Sequence, residues 1–494
     1  MKKTFMSKNG LLSGATLYFF ASPTFLILLF IFGVVIGSQI FSSYIYLWIL
    51  AAISVITIFA LFLKKIKLGI CLIILSFGLF YFAFFQWATI APVQTGCQAA
   101  KISSNPKQSG GSLQFSAQFE KGGVAVINTN EAIDFGYGDK LKICVDKFAT
   151  NSDNSYRHYL LSQYKTDTVV LNPKIEKTET GRGFLRALYN FAASVALKIR
   201  ELNPGTEGIL AKGLLLGGSQ GFSDQFKQNL KLTGTTHLVA VSGYNVSILT
   251  ITIFGFIRKY FSRRLAFILS STMLVIFCLM TGATSSVLRA SIMGAMFLIS
   301  KAVGRRVSIF HFLVLAAFLM IILNPFVIWD LGFQLSFAAT AGLVFLSTPL
   351  GNFLSSKTQI PAIKEGFLIL SETVSAQIFA LPILLGGFGM VSLISPITNL
   401  LILPLVPTSM GLIAASYFVS LISRYLGIFV AAISNILLEY FVFVINFFAK
   451  FKIAAASVNI TSAWWSVLLY LLIVFLTAYF RRKIKIKIDE RPGF

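Results

Sequence analysis

The sequence is poor in the residues that soluble enzymes use for charge and metal chemistry. Only 12% of its 494 residues are charged, and it contains 18 Asp and Glu, three histidines and four cysteines. A soluble domain usually has about a quarter of its residues charged. Neither His-Glu-x-x-His nor Cys-x-x-Cys occurs, and there is no Gly-x-x-x-x-Gly-Lys phosphate loop. We therefore expect no metal, no cofactor and no ATPase of that type, and the chain is predicted not to be an enzyme.

Long apolar runs take the place of those residues. The sequence is 56% hydrophobic with 49 Phe, and its mean hydropathy is +0.79. Runs of about 18–24 apolar residues are long enough to cross a bilayer as helices. The predicted fold class is a polytopic α-helical membrane protein of about twelve spans, some of them discontinuous. The predicted spans start near Thr24, Tyr44, Leu68, Thr236, Leu265, Ser285, Ser308, Leu331, Phe367, Pro396, Leu426 and Ala463.

The distribution of positive charge predicts the orientation of these spans. Basic residues outnumber acidic residues by 42 to 18, for a net charge of +24. Lys and Arg clusters stand before the first predicted span and after the second, fourth, sixth and last. Because short cytoplasmic loops carry an excess of Lys and Arg, we predict a multi-pass protein of the cytoplasmic membrane with both termini in the cytoplasm. The charge is also expected to attract anionic membrane lipid, the alternative being an anionic substrate.

A long polar stretch, residues 91–182, lies outside the cell in this orientation. Its runs "GSLQFSAQF", "GGVAVIN" and "DKLKICVDKF" alternate polar and apolar residues, which predicts the strands of a small β-barrel. Cys97 and Cys144 both fall here, and in an oxidising space we predict that they form a disulfide, the alternative being two unpaired thiols. Residues 183–235 are amphipathic and are predicted to lie at the membrane surface or to line an entrance.

Polar side chains inside the apolar runs are the main functional signal. An ionisable group at the bilayer centre costs at least about 2.5–3.5 kcal/mol, so it usually faces protein or a wet cavity. The run "THLVAVSGYNVSIL" contains His237, Ser242, Gly243 and Asn245. Ordinary interhelical hydrogen bonds are the alternative for each residue taken singly. Their clustering favours a polar lining, although His237 can also lie at the outer interface.

Arg289 is the most costly of these groups. It lies in "TGATSSVLRASIMG", about one turn inside a predicted span, among small residues that permit close helix packing. Snorkelling to the membrane surface is the ordinary explanation for such a charge. We favour a position facing a cavity, where the guanidinium contacts phosphate or pairs with a carboxylate.

Two further runs add polar groups. In "NPFVIWDLGFQLSFAATAGL", Asp330 and Gln334 are four residues apart and share a helix face, which Ser336 continues. Asp330 either caps the helix that starts there or pairs with Arg289. In "ISPITNLLILPLVP", Asn399 lies among prolines that predict a discontinuous helix, which membranes tolerate where the break lines water or is buried in protein.

Four of these runs, taken in order, resemble the ComEC family of competence DNA-uptake channels. They are "GLLLGG" with "TGTTHLVAVSGYNVSIL", "TGATSSVLRASIM", "NPFVIWDLGFQLSFAATAGL" and "ISPITNLLILPLVP". Together they anchor about residues 210–410. The polar stretch also resembles the exterior domain of that family, through "YGDKLKI" and "RHYLLSQYKTDTVV". In the family this domain is an OB-fold-like barrel.

The resemblance implies passage of single-stranded DNA across the cytoplasmic membrane during natural transformation. It also implies an exterior DNA receptor, a separate nuclease, and a cytoplasmic helicase, translocase or single-strand-binding protein as partners. The predicted DNA-pathway residues are His237, Ser242, Gly243, Asn245, Arg289, Asp330, Gln334, Ser336 and Asn399. Many members end in a metallo-β-lactamase-like domain, whereas this chain stops at "RRKIKIKIDERPGF", so we expect a form without that domain.

The resulting domain plan leaves some functions open. It comprises three N-terminal spans (1–90), the exterior OB-like domain (91–182), interfacial helices (183–235), a transmembrane channel domain (236–480) and a basic cytoplasmic tail (481–494). Phe115, Phe119, Tyr137 and Phe148 of the exterior domain either stack DNA bases or form the barrel core. Two other functions fit the chain: a secondary transporter of a small anionic solute, or an intramembrane hydrolase using Ser242 or His237 with Asp330.

Overall fold

The structure is a computed structural model, and it divides into two compact units. It describes residues 23–40, 52–53, 55–57, 66–90, 93–109, 112–130, 135–145, 147–149, 154–304, 308–356, 358–451, 454–457, 465 and 468–479. The basic clusters at both termini and most of the second predicted span lie outside these residues. The first unit is Met1–Gly181 with Val307–Asp330, and the second is Arg182–Arg306 with Leu331–Phe494.

Seven of the described helices are long and apolar enough to cross a membrane, so the chain has the architecture of an integral membrane protein. They are Leu68–Thr89, Arg263–Met280, Ser285–Val303, Leu331–Ser355, Pro361–Phe388, Ser395–Ile422 and Arg424–Ala449. Three shorter apolar helices are Pro23–Gln39, Ile309–Leu323 and Leu468–Tyr479. Each of these helices overlaps a predicted span, and the total number of spans stays a prediction.

The first unit combines apolar helices with a β domain. Its elements are α1 (Pro23–Ile40), α2 (Ile66–Thr89), β1 (Gly96–Ile102), β2 (Lys107–Ser109), β3 (Ser112–Phe119), β4 (Val124–Thr129), β5 (Lys140–Val145), α3 (Asn154–Tyr164), β6 (Val169–Leu171) and β7 (Lys174–Glu179). The strands form one sheet in the order β6-β4-β3-β1-β5-β7, with β2 paired to β3. The β4–β6 pair is parallel and the other pairs are antiparallel. The small β domain is therefore present, while barrel closure stays a prediction.

The inward faces of these strands form one apolar core, as their alternating pattern requires. Phe115 and Phe119 are almost fully buried in it, and Phe148 packs against it. These three rings are therefore core residues, and the alternative that they stack bases is not supported. Asp139 is also buried here, where its carboxylate accepts hydrogen bonds from the backbone N–H groups of Gly136 and Gly181.

The predicted disulfide is confirmed. Cys97 and Cys144 lie directly opposite each other on the antiparallel strands β1 and β5, and their sulfurs are bonded. The bond closes a loop with a sequence separation of 47 residues. It therefore links β1 and β5, which are adjacent interior strands of the sheet.

Helix α3 is attached to the chain that follows α11 (Ile309–Leu323) within the same unit. A 3-10 turn, Pro325–Trp329, presents the Trp329 ring, which stacks on His158 with centroids 4.2 Å apart. Asn324 donates to the carbonyl of Ser162 at 2.8 Å, and Gln163 donates to the carboxylate of Asp330. Burial, with a smaller contribution from a neighbouring arginine, lowers the pKa of His158, so the stacked imidazole is neutral at pH 7.

Two glycines bring the backbones of α1 and α2 into contact. A Cβ atom added to Gly33 would overlap the carbonyl of Leu75, and one added to Gly78 would overlap the carbonyl of Phe30. Small residues at a helix crossing allow this close approach inside membranes, where helices associate through packing. The crossing of α1 and α2 therefore depends on both glycines.

The second unit is almost entirely helical. Its helices are α4 (Phe184–Leu202), α5 (Gly205–Leu216), α6 (Asp224–Leu232), α7 (Thr236–Val239), α8 (Gly243–Tyr260), α9 (Arg263–Met280), α10 (Ser285–Val303), α12 (Leu331–Gly342), α13 (Thr348–Ser355), α14 (Pro361–Phe388), α15 (Ser395–Ile402), α16 (Val406–Ile422) and α17 (Arg424–Ala449). A π-helical segment, Leu343–Ser347, joins α12 to α13. Strands β8 (Met390–Ser392) and β9 (Ala455–Ser457) form a two-stranded sheet.

The segment predicted to be interfacial contributes to the core of this unit. Amphipathic α4 buries Leu188, Val195, Ile199 and Leu202, and its partners in the core come from α5, α6, α15, α16 and α17. The predicted span near Pro396 is one apolar helix, Ser395–Ile422, in which a 3-10 turn, Leu403–Leu405, separates α15 from α16. Pro404 and Pro407 account for this 3-10 turn.

We expect loss of the disulfide to destabilise the β domain without unfolding the helices. Closure of a loop of this length stabilises by about 4 kcal/mol in the chain-entropy account. The double variant Cys97→Ala/Cys144→Ala should therefore be cleaved faster by protease between β1 and β7 in the detergent-solubilised full chain. Cys71→Ala, which removes a free cysteine in α2, is the control. Equal cleavage rates for the double variant and the wild type would contradict this assignment.

We expect Gly78→Ala to destabilise the crossing of α1 and α2. The added methyl group must displace a helix backbone, and such overpacking typically costs about 1–3 kcal/mol. Gly411→Ala in α16 is the matched control, because a Cβ there meets no atom within 4 Å. Thermal unfolding of both variants in the same detergent provides the measurement. Similar unfolding temperatures for the two variants would show that the close approach is not required.

Candidate functional site

The polar run at residues 240–245 is a helix start. The chain leaves the short helix α7, turns through Ala240–Ser242, and begins α8 at Gly243. Ser242 is the N-cap, since its hydroxyl accepts a hydrogen bond from the backbone N–H of Asn245 at 3.4 Å. Asn245 is buried, and its amide donates to the carbonyl of Leu214 at 3.0 Å. The long helix thus begins about seven residues later than the predicted start at Thr236, because Ser242 and Gly243 supply the cap.

Gly243 lies against Arg289 of α10. A Cβ atom at Gly243 would lie 2.5 Å from Nη2 of Arg289, so only glycine leaves room for the guanidinium. Arg289 is 8% exposed. Its side chain therefore does not snorkel to the surface but lies inside the unit, at the first turn of α8.

Helix α12 supplies the remaining contacts of the guanidinium. Nη1 of Arg289 donates to the hydroxyl of Thr340, and Cζ lies 5.8 Å from the centre of the Phe337 ring. Thr340 in turn donates to the carbonyl of Ser336 at 2.8 Å. The Nε–H of Arg289 is buried without a hydrogen-bond partner. Helices α8, α10 and α12 therefore meet at Arg289, and one of its buried donors is left without a hydrogen bond.

The charges that meet in this cluster are both positive. The N-terminus of a helix carries about half a positive charge, and here it adjoins a buried guanidinium. Within the part of the chain that the structure describes, no carboxylate forms an ion pair with Arg289. A buried cation beside a helix N-terminus is destabilised unless an anion joins it. Chemically, the arrangement suits a phosphate or another oxyanion.

Other predicted site residues lie in different places. Asp330 belongs to the first unit, where Gln163 is its partner, so the proposed Asp330–Arg289 pair is replaced by separate partners for each residue. Gln334 and Ser336 are half-buried on α12, the helix that also carries Thr340.

His237 and Asn399 belong to a second polar cluster. The Nδ1 atom of His237 is 3.0 Å from the carbonyl of Gly234, a residue with a positive φ of 67°. Gly234 packs against Ser395, whose hydroxyl accepts a hydrogen bond from the amide of Asn399 at 3.2 Å. Thr398 donates to the carbonyl of Thr233 at 2.9 Å. The Thr398 bond and the contact of Gly234 with Ser395 fasten the α6–α7 turn to α15, whereas the bonds of His237 and Asn399 are local to the turn and to the helix.

Sequence reasoning did not select Thr340 and Phe337. Both lie on the helix that carries Gln334 and Ser336, and Thr340 follows Ser336 by one helical turn. The four-residue spacing between Ser336 and Thr340 indicates that both lie on the same helix face, and this was the sequence signal for Thr340. An isolated threonine in an apolar helix is nevertheless ordinary, which is why the sequence alone did not single it out.

Comparison with known proteins identifies the family. The chain is 32% identical over 204 residues to ComE operon protein 3 of Bacillus subtilis (strain 168). The alignment covers 41% of this chain and 25% of that protein, so the chain matches about a quarter of the length of this relative. No solved structure matches the chain. The model of the competence protein family matches residues 214–483, which include every predicted DNA-pathway residue. This match spans more than half of the chain, and the chain therefore belongs to the competence protein family that its motifs resembled.

Proposed function

We propose that this protein conducts single-stranded DNA across the cytoplasmic membrane during natural transformation. The observation that carries the proposal is the buried guanidinium of Arg289, which lies at the N-terminus of α8 without a carboxylate partner among the described residues. Each phosphate of a DNA strand carries one negative charge, and a single cationic point binds it weakly enough for release. The family membership and the net charge of +24 support the same substrate.

The proposal includes an arrangement in the membrane. About twelve spans cross the bilayer, both termini face the cytoplasm, and the β domain lies outside as an OB-like barrel. The five domains keep the ranges given by the sequence, and residues 236–480 form the channel. The disulfide of the β domain supports an oxidising exterior location.

The proposed role is conduction without catalysis, so other proteins supply the energy that moves the DNA. Inward movement of a negative charge against an interior-negative potential costs about 2.3 kcal/mol per 100 mV. A cytoplasmic helicase, translocase or single-strand-binding protein therefore draws the strand inward. A separate nuclease and an exterior receptor deliver it, and the surrounding lipid is the remaining partner.

One alternative function keeps the same anion site. A secondary transporter would use Arg289 and the 3-10 turn between α15 and α16 to hold a small oxyanion. The hydrolase alternative has less support, because Ser242 and His237, both of which the structure describes, are not hydrogen-bonded to each other. The Ser242 hydroxyl is hydrogen-bonded to Asn245, and the His237 ring is hydrogen-bonded to the carbonyl of Gly234. A variant test separates these functions: Ser242→Ala should abolish hydrolysis in a hydrolase but only weaken a helix cap here.

We expect Arg289→Gln to reduce uptake of labelled DNA while DNA binding at the cell surface persists. A hydrogen bond to a charged group contributes about 1.5–3 kcal/mol, which corresponds to roughly a 10- to 150-fold decrease. Arg289→Lys should give an intermediate result, since it retains the charge but not the planar group. The measurement is uptake in a deletion strain that expresses each variant.

The control for this experiment is Lys301→Gln, which removes an exposed cation from the last turn of the same helix. Immunoblots of membranes establish that each variant is present at the wild-type level. Wild-type uptake with Arg289→Gln would refute a role in the pathway. Loss of phosphate transport with unchanged DNA uptake would instead identify the small-anion transporter.

We expect Gly243→Ala to impair uptake by displacing the guanidinium. The methyl group would occupy the position 2.5 Å from Nη2. Gly255→Ala, in the same helix, is the matched control, because a Cβ there meets no atom within 4 Å. Helix propensity favours alanine at both positions, so lower uptake with Gly243→Ala alone isolates the contact with Arg289. Equal uptake by the two variants would show that the position of the guanidinium is unimportant.

A further inference from the structure

The β domain contains a cavity that the proposed transport does not use. Its volume is about 320 Å³, and it is lined by Ser112, Gln114, Asn128, Tyr156 and Tyr159. One wall is formed by strands β3 and β4, and the other by helix α3. All of these elements belong to the first unit. The lining residues are uncharged, and each carries a hydrogen-bonding group.

The helix side of the cavity presents a flat aromatic surface. Tyr156 and Tyr159 are one turn apart on α3, and their rings lie 6.2 Å apart at an angle of 28°. The Tyr164 ring contacts Tyr159 edge-on at 6.4 Å, which restricts its orientation. Tyr159 is nevertheless 44% exposed, whereas the aromatic rings in the core of the β domain are buried. One ring is thus held in place with part of its surface open.

The strand side of the cavity offers amide groups. Gln114 and Asn128 are directly opposite each other on β3 and β4, so both side chains project from the same face of the sheet. The side-chain oxygen of Asn128 is buried and has no hydrogen-bond partner. Paired amide side chains provide the donor and acceptor pattern that recognises the edge of a nucleobase.

The β domain as a whole is nearly neutral, although Lys107 of β2 lies directly opposite Gln114. Between residues 96 and 179 there are ten Lys and Arg but nine Asp and Glu, although the whole chain has 42 and 18. The excess positive charge of the protein therefore lies elsewhere. A nearly neutral surface with an exposed ring and amides suits the uncharged, planar part of a nucleotide.

We propose that this cavity binds a base of single-stranded nucleic acid, which stacks on Tyr159 and bonds at its edge to Gln114 and Asn128. The inference rests on the proposed function for the identity of the substrate, and it adds a base-binding site in the β domain. Of the four rings predicted either to stack bases or to form the core, Phe115 and Phe119 are buried in the core and Phe148 packs against it. The stacking surface is supplied by the helix instead. A sugar ring is the other ligand that stacks on tyrosine, and it is an outcome of the test.

The test measures the affinity of the full chain in nanodiscs for a fluorescent 12-nucleotide DNA strand. A strand of equal length with abasic sites in place of bases serves as the competitor probe. Stacking of one base changes affinity by about 5- to 150-fold, so we expect the wild type to bind the base-bearing strand that much more tightly. Tyr159→Leu should remove this preference, and Tyr159→Phe should retain it.

Several results overturn the proposal. Equal affinity of the wild type for the two strands refutes it without any variant, even if Tyr159→Leu fails to fold. A preference that survives both Tyr159→Leu and the double variant Gln114→Ala/Asn128→Ala places base binding elsewhere. Binding of an N-acetylglucosamine tetramer that Tyr159→Leu abolishes, without preference between the strands, assigns the cavity to a sugar.

The same measurement distinguishes this proposal from the transport proposal. Base preference should weaken little as salt rises, because it involves no release of counterions, whereas binding to phosphate weakens steeply. Arg289→Gln should leave the preference for bases unchanged. If that variant takes up DNA normally while the preference persists, the transport account fails and the base site stands.

Discussion

The organisation of the second unit depends on the cost of placing one guanidinium inside a helical membrane bundle. Arg289 is buried, and its surroundings are hydroxyl, aromatic and helix-terminal groups. The helix N-terminus adds positive charge instead of neutralising it. Glycine at 243 provides the space, and Ser242 provides the cap that starts the helix at this position. These features together create an unneutralised positive site, which is unfavourable for a structural element and suitable for a transient anion.

The composition and the apolar runs were sufficient to predict the class of the fold. Ten of the predicted spans overlap apolar helices, and the period of polar and apolar residues between 91 and 182 correctly indicated strands. The disulfide was predictable because both cysteines fall in one polar segment. Its pairing on adjacent strands could not be derived, since register depends on the sheet order β3-β1-β5, which local sequence does not encode.

The candidate site was only partly predictable, for a physical reason. Polar residues in apolar runs are conspicuous, so Arg289, Gly243 and Ser242 could be selected from the sequence. Which of them meet depends on helix crossings, and the structure joins Arg289 to Gly243 and Thr340 while Asp330 bonds to Gln163. His237 and Asn399 were selected on the same grounds, but His237 bonds within its own turn and Asn399 bonds within its own helix, while Thr398 supplies the hydrogen bond between the two segments. Similarly, the tyrosines of α3 could not be selected from the sequence, because tyrosines are ordinary on an amphipathic helix. The cavity that they line is formed only where the helix faces strands β3 and β4.

The central claim, that a DNA strand passes the Arg289 cluster, is tested most directly by crosslinking a strand during transport. A Ser336→Cys variant lacking Cys71 and Cys278 would receive DNA that carries thiol-reactive groups on its phosphates. Ser336 adjoins the Arg289 partner Thr340, whereas Ile299→Cys, on a side chain of α10 that is 48% exposed, is the comparison. The account predicts a covalent adduct at position 336 and little at 299. Equal labelling at the two positions, or none at 336 during active uptake, would contradict it.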